Sequence, residues 1–278
     1  MLLLTACLEM PADPAADTYI PVLAVSELEL GQNRVPLGII KNGTPINDPA
    51  VQPHLRLYYL DGDDKTTVQH EADAVYRGKG LPVGLYVAYP TFDQAGAWAV
   101  EVAIPQADGP PQVSRVRVEV LEESLVPGVG DAAPSAQQPT SNDGIALEQL
   151  TSDSEPEPAF YTMTIDAALA DEKPLLLMFA TPGYCKTAVC GPNMSIMKKL
   201  YADLADQMNF VHVEVYPYPF GDAFRRGEFV PTMQEWNLTT EPWTFLVDAD
   251  GIIQAKYEGG LTFEELEPAV QQLIENEE

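Results

Sequence analysis

Cys185 and Cys190 stand in the segment FATPGYCKTAVCGP (179–192), between an apolar run at 175–179 and a helical pattern. The thiolate is the reactive form of cysteine and a helix N-terminus stabilises negative charge, so a strand-to-helix junction is a place where a thiol pKa falls towards the working range. Redox exchange is the chemistry to which these residues point. It needs a thiolate, a second thiol within reach of the mixed disulfide and a docking surface for the partner chain. Pro182 and Gly183 let the loop close a short ring, and Tyr184 and Trp243 are candidates for an apolar rim. Cys7 is the one other cysteine, so the pair has no obvious internal competitor. The competing reading is a permanent structural disulfide, which persists outside the cytoplasm and closes easily over four intervening residues. A reduction potential below about −300 mV marks such a bond, and a less negative one marks exchange.

The apolar run 175–179 suits a strand leading into the pair. Pro192 suits the first turn of the helix that follows, on which Met194, Met197, Leu200, Tyr201 and Leu204 recur at three- and four-residue steps and face a sheet. Upstream, Thr164 caps a short helix that Lys173-Pro174 stops. Downstream come a strand at 209–216, a short helical piece at 232–236, a hairpin of 243–248 and 252–258 around Asp250-Gly251, and an amphipathic helix at 263–274. The order is α, β, α, β, α, β, β, α. The stretch YPYPFGDAFRRGEF (216–229) reads as a solvated connection with a few buried aromatics, with a place beside the active site as the alternative.

The chain has 278 residues, enough for two domains. With 15 basic and 42 acidic residues its formal charge is −27, which repels nucleic-acid phosphates and anionic headgroups, so nucleic-acid binding is disfavoured. Residues 20–122 show short alternating runs at 22–30, 35–40, 54–60, 85–89, 97–104 and 113–121, punctuated by Asn42-Gly43, Asp61-Gly62 and many prolines. An all-β sandwich follows. Trp98, Val100 and Val102 share one strand face, which makes Trp98 a core residue. Residues 123–158, rich in Pro, Ser, Gly, Gln and acid, read as an extended or locally mobile linker, in which Ile145, Leu147 and Leu150 form a small apolar cluster. Residues 159–278 form the second domain.

The element order of the second domain, with two cysteines where its first strand meets its second helix, resembles the thioredoxin fold over roughly 159–276. FATPGYCKTAVCGP stands where thioredoxins carry a strand end followed by Cys-Gly-Pro-Cys, and WNLTTEPWTFLVDADG (236–251) stands where they carry the cis-proline loop and a strand running into a Gly turn. The resemblance implies a cis-proline at Pro242, in a loop that lies against the cysteines, pairs with an extended substrate and blocks metal capture by the thiols. It makes Glu241, Pro242 and Trp243 candidates for substrate binding, with Glu241 placed to tune specificity. The spacing departs from the family, since Lys186, Thr187, Ala188 and Val189 separate the cysteines. Two alignments are open. In one, Cys185 attacks and Cys190 resolves. In the other, Cys190-Gly191-Pro192 matches the start of the family motif, Asn193 replaces its second cysteine, and Cys185 is a partner from an inserted loop. Helix position favours Cys190 as the lower-pKa thiol, and exposure favours Cys185 as the attacker.

Thr181, a wide cysteine spacing and His212 also resemble Cu(I)-binding assembly factors of the same fold, and soft thiolates and thioethers select Cu(I). Met194 and Met197, however, fall on the core face of their helix, and His212 lies on the strand at 209–216, so structural roles are expected for all three. His54 and His70 lack a third partner at ligand spacing, and no metal or cofactor is assigned. Residues 20–122 resemble bacterial immunoglobulin-like sandwiches through the GxWxVxV-like strand of Trp98, without an inter-sheet cysteine pair. At the start, Leu4, Thr5, Ala6 and Cys7 resemble a bacterial lipobox, followed by a Pro/Ala/acid-rich tether within residues 1–19. Only six residues precede Cys7, fewer than a signal needs, which points to a truncated or misassigned start. The expectation is a two-domain extracytoplasmic protein, anchored to the cell membrane through lipidated Cys7, that exchanges disulfides with protein partners and draws on a redox donor.

Overall fold

Side-chain alternation along the strands divides the molecule into an N-terminal core shared by two sheets and two C-terminal cores on either side of one sheet. The computed structural model describes residues 17–106 and 108–276. The longer N-terminal strands are β1 (Tyr19–Leu23), β2 (Val35–Lys41), β3 (His54–Tyr59), β4 (His70–Asp73), β5 (Tyr86–Ala88), β6 (Gly96–Ile104) and β7 (Gln112–Val120). One antiparallel sheet runs β1-β2-β5 and continues to Val75–Tyr76; the other runs β7-β6-β3-β4. Leu37, Ile39 and Tyr86 from the first sheet meet Leu55, Leu57, Trp98, Val100 and Val102 from the second, giving a β-sandwich. Trp98 is fully buried, and its indole N–H donates to Gln94 O at 2.9 Å, as a buried indole requires. The strand expected at 22–30 stops at Leu23, because the following residues turn to the C-terminal domain, where the Ser26 amide donates to Glu258 Oε2 at 2.6 Å.

The C-terminal sheet runs β9 (Asn209–Glu214), β8 (Leu175–Ala180), β10 (Trp243–Val247), β11 (Ile253–Glu258). β8 and β9 are parallel, while β10 is antiparallel to both of its neighbours. Its helices are α1 (Leu147–Leu150), α2 (Ile165–Leu169), α3 (Cys190–Leu204), α4 (Phe220–Arg226), α5 (Pro231–Glu235) and α6 (Phe263–Glu275). β8 is apolar throughout because it is buried on both faces. Leu175, Leu177 and Phe179 join α2 and Trp236 on one side; Leu176, Met178 and Ala180 join Met194, Met197 and Leu200 of α3 and Leu266 of α6 on the other. The expected order holds, with α4 as an addition where a connection was expected. There Phe220 and Ala223 are buried, while Arg225 and Arg226 complement the negative end of its last turn.

Residues 123–158 correct the expectation of a mobile linker. Gly130 and Ala133 donate to Ile253 O and Gly251 O, and Ile253 donates back to Asp131 O, so the segment pairs with the sheet edge at β11. Such an edge, left open, carries unpaired backbone groups. Val126 and Ala136 enter the core with Leu175 and Leu177, and Leu150 of α1 enters the core that holds Cys190. The apolar residues are few; Val126, Ala136 and Leu150 fill core positions, while Leu125 and Val129 stay exposed.

Arg34, just before β2, fastens the sandwich to the C-terminal domain. Its guanidinium pairs with Glu265 of α6 through two N–H···O contacts of 2.7 and 2.9 Å, and donates to Glu258 O and Gly260 O at 2.7 Å each. Both side chains are nearly closed to solvent, at 9% and 4% exposure, and Tyr89 Oη donates to the same carboxylate at 2.6 Å. Burial works to raise the Glu265 carboxyl, but the hydrogen bonds and charge of Arg34 outweigh it and hold the pKa below its ordinary value. Replacing Arg34 by Met strands a buried carboxylate, and we expect a loss of about 3–5 kcal/mol in denaturant unfolding, with Glu265→Gln restoring part of it in the same background. A loss below about 1 kcal/mol, the worth of an exposed pair, would show that the clamp does not hold the domains.

Candidate active site

The disulfide closes between Cys185, in the loop after β8, and Cys190, the first residue of α3, with Cα atoms 6.0 Å apart. Ala188, at φ +59°, turns the intervening loop back on itself. The two sulfurs sit in different surroundings. Cys190 is fully buried among Met178, Ala180, Met194 and Met197, whereas Cys185 is partly exposed. The amide of Cys190, at the N-terminus of α3, points at Cys185 Sγ from 3.4 Å, and Thr187 Oγ1 lies 3.3 Å from the same sulfur. Both donors favour negative charge on Cys185. Helix position was expected to favour Cys190; the loop instead curls so that the helix end faces the earlier cysteine.

Pro242 is in a cis peptide with Glu241, as the sequence comparison implied, and its loop lies against the cysteines. Glu241 Oε2 is 2.9 Å from Cys190 Sγ. The loop is tied down on both sides, since Gly259 N–H donates to Pro242 O at 2.8 Å and the Trp243 indole donates to Thr240 Oγ1 at 3.0 Å. Trp243 itself is buried and stacks on Phe245, so it holds the loop from the core side and offers no apolar rim. Tyr184 is exposed and lies beside Phe224 of α4, with ring centroids 5.8 Å apart; Lys186 Nζ stands 5.4 Å from the same Phe224 ring. The aromatic stretch at 216–229 therefore does border the cysteine loop. Cys7 and its lipobox-like tetrad lie outside the described residues.

Three further residues of the site carried no signal of their role. Ser152, inside the expected linker, accepts from Gly183 N–H at 3.0 Å and donates through Oγ to Glu214 Oε2 at 2.6 Å, linking the cysteine loop to β9. Asn193 is fully buried and pairs with the Gly259–Leu261 turn, donating to Gly259 O at 2.9 Å and accepting from Leu261 N–H at 3.0 Å. Its position next to the motif could have marked it, but a buried amide is not readable from residue type. Thr187 is the third, inside the widened loop.

Cys185, Cys190 and Glu241 form a cluster whose sulfur and carboxylate oxygen atoms lie within 4.8 Å of one another. Metal binding uses thiolates, and the disulfide holds both sulfurs. His212 does not join them. Its Nε2–H donates to Ala180 O at 3.2 Å, so Nδ1 accepts from Tyr161 Oη at 2.8 Å, and burial pushes its pKa down to about 4. This is a neutral structural histidine. Met194 and Met197 are core residues, and His54 and His70 pair with acids of the sandwich.

Two carboxyls beneath the disulfide are displaced upward. Burial raises Glu241 to about 7, against the Lys186 backbone N–H, with the Glu214 charge adding to the rise. Burial raises Glu214 to about 6, against the hydrogen bonds from Ser152. Above an unfolded value of 4.5 the folded protein therefore holds the Glu214 proton that the unfolded chain has released, and stability falls as pH rises through 4.5 to about 6. Glu214→Gln removes that contribution. We expect the variant to lose about 2 kcal/mol less unfolding free energy than the parent between pH 4 and pH 7; an equal change in unfolding free energy in variant and parent, from denaturant titrations at the two pH values, would refute the displaced Glu214 carboxyl.

Among proteins of known type, a family model described as a thioredoxin-like domain matches residues 161–274. Among solved structures, the chain is similar to a thiol:disulfide interchange protein of the thioredoxin family from Chlorobium tepidum TLS, at 16% identity and a TM-score of 0.36, over 51% of this chain and 95% of that one. No curated protein matches. Residues 161–274 thus form a thioredoxin-like domain, with the Cys185–Cys190 disulfide inside it.

Proposed function

We propose that the protein exchanges disulfides with partner proteins outside the cytoplasm, with Cys185 as the attacking and Cys190 as the resolving thiol. The observation that carries this reading is the asymmetry of the pair: Cys185 is open to a partner and faces two hydrogen-bond donors, while Cys190 is enclosed behind it. In the reduced protein the Cys185 thiolate attacks a partner disulfide, one partner thiolate leaves, and a mixed disulfide forms on Cys185. Cys190 then attacks Cys185 Sγ, the second partner thiolate leaves, and the internal disulfide closes. A dithiol donor resets the pair by the reverse steps. Tyr184 and the Glu241-Pro242 loop flank the point of attack and supply the docking surface.

The immunoglobulin-like sandwich and a lipid on Cys7 complete the reading, with the sandwich as a spacer from the membrane. Among the described residues no helix is long and apolar enough to cross a membrane. In an anchored protein, Cys7→Ser abolishes incorporation of labelled fatty acid; unchanged incorporation would remove the anchor from the reading.

The exchange itself is tested in the full chain with single cysteine variants. Cys190→Ser is expected to accumulate mixed disulfides that dithiothreitol releases, and Cys185→Ser to accumulate none. Equal trapping by both would overturn the assignment of roles, and a reduction potential below about −300 mV in the parent would make the bond structural.

A further inference from the structure

We propose that Lys186 selects the protein partner, favouring disulfides whose cysteine is flanked by aspartate or glutamate. The proposal rests on the exchange reading above and names the substrate class that the same site takes. Lys186 directly follows Cys185 and is exposed, in a chain that carries 42 acidic against 15 basic residues. Its ammonium stands over the Phe224 ring, 5.4 Å from the centroid, and makes no ion pair among the described residues. The neighbouring cations of α4 are engaged, since Arg225 pairs with Asp222 and Arg226 with Glu228. Glu241 accepts from the Lys186 backbone N–H but turns its Oε2 to Cys190 Sγ. The Lys186 ammonium is thus left to meet a carboxylate that arrives from outside.

Helix α4 builds the place where this charge is held. Phe224 packs edge-on against Tyr216, with ring centroids 5.5 Å apart, and beside Tyr184, at 5.8 Å. Tyr184 in turn lies on the helix backbone at Gly221, where a Cβ would come within 3.0 Å of its Oη. An ammonium over an aromatic ring keeps its charge while a long side chain gives up part of its freedom. Less ordering is then left to be done when a carboxylate arrives.

The selection is local. The charge of −27 disfavours acidic partners as whole molecules, but at physiological ionic strength the interaction of exposed charges decays over about 8 Å. Lys186 is the residue next to Cys185, so a carboxylate on the residue next to the partner's cysteine comes within that length once the sulfurs meet. A lysine or arginine in the same place meets like charge. The residues beside the partner cysteine are therefore read separately from the partner's net charge.

The test uses two glycine-rich peptides of identical composition, each carrying one cysteine as a mixed disulfide with 5-thio-2-nitrobenzoate. In one, aspartates flank the cysteine; in the other they stand at the two ends, with glycines between, so the net charges are equal. In the reduced full chain Cys185 attacks the peptide sulfur. The bond from Cys185 to the peptide forms, the bond to thionitrobenzoate breaks, and the coloured thiolate leaves with the electron pair. Each rate constant is divided by that for dithiothreitol, which removes differences in the peptides' own reactivity. We expect the parent to favour the flanked isomer by about threefold or more, Lys186→Arg to keep that preference, and Lys186→Glu to reverse it. A merely structural lysine does not give reversal. Equal normalised rates in the parent, or a preference that survives in Lys186→Glu, overturns the selection by Lys186 and leaves the exchange reading standing. A parent that releases no more thiolate than Cys185→Ser overturns the two together.

Discussion

The turn at Glu258–Leu261 is the constraint on which the redox centre depends. Three separate parts of the chain converge on its backbone: Arg34 from the sandwich holds Glu258 O and Gly260 O, Asn193 from the first turns of α3 holds Gly259 O and Leu261 N, and Pro242 O takes Gly259 N–H. The start of α3 fixes Cys190, and the Pro242 loop fixes Glu241, so the distance between sulfur and carboxyl is set by a turn that touches neither. Gly260 sits where a Cβ would meet Val189 and Leu85, which brings the sandwich up against the residue that precedes Cys190. The N-terminal domain is therefore part of the mechanical support of the site.

The four intervening residues have a definite structural result. They let the chain double back so that the helix N-terminus faces the earlier cysteine, while the later cysteine becomes the first residue of the helix and goes into the core. The two sulfurs acquire opposite environments, one hydrogen-bonded and open, the other apolar and beside a carboxyl. The proposed exchange benefits from that contrast, because an attacking sulfur needs stabilised charge and an approach open to a partner.

Much of the C-terminal architecture was readable because its signals are local: the apolar run of β8, the three-and-four spacing on α3, the Asp250-Gly251 turn, and the cysteines themselves. The cis-proline at Pro242 came from resemblance in a stretch whose pattern is strong. Other features resisted for physical reasons. Trp243 shares its residue type with many exposed docking groups, and only the register of β10 sends it into the core. Ser152 and residues 126–136 have a disordered composition, and their order comes from distant partners, Gly183 and Glu214 for Ser152 and the sheet edge at β11 for 130–133, which no local pattern encodes. Helix α4 is too short, and too broken by Gly and Pro at its start, to show a period. The link from Arg34 to Glu265 spans more than two hundred residues and rests on one buried charge pair.

The segment at 126–152 has a further meaning for what counts as the working unit. It lies outside the stretch that matches the thioredoxin-like family model, which begins at 161, and outside the boundary that composition draws at 159. Yet it closes the free margin of β11, puts Val126 and Leu150 into the two cores, and hands Ser152 to the backbone of Gly183. Cutting the chain where homology begins would leave the thiols attached to a fold with one side unsealed. The folded unit around the disulfide therefore takes in the chain from near residue 124, some three dozen residues before the matched domain, with the sandwich braced against it.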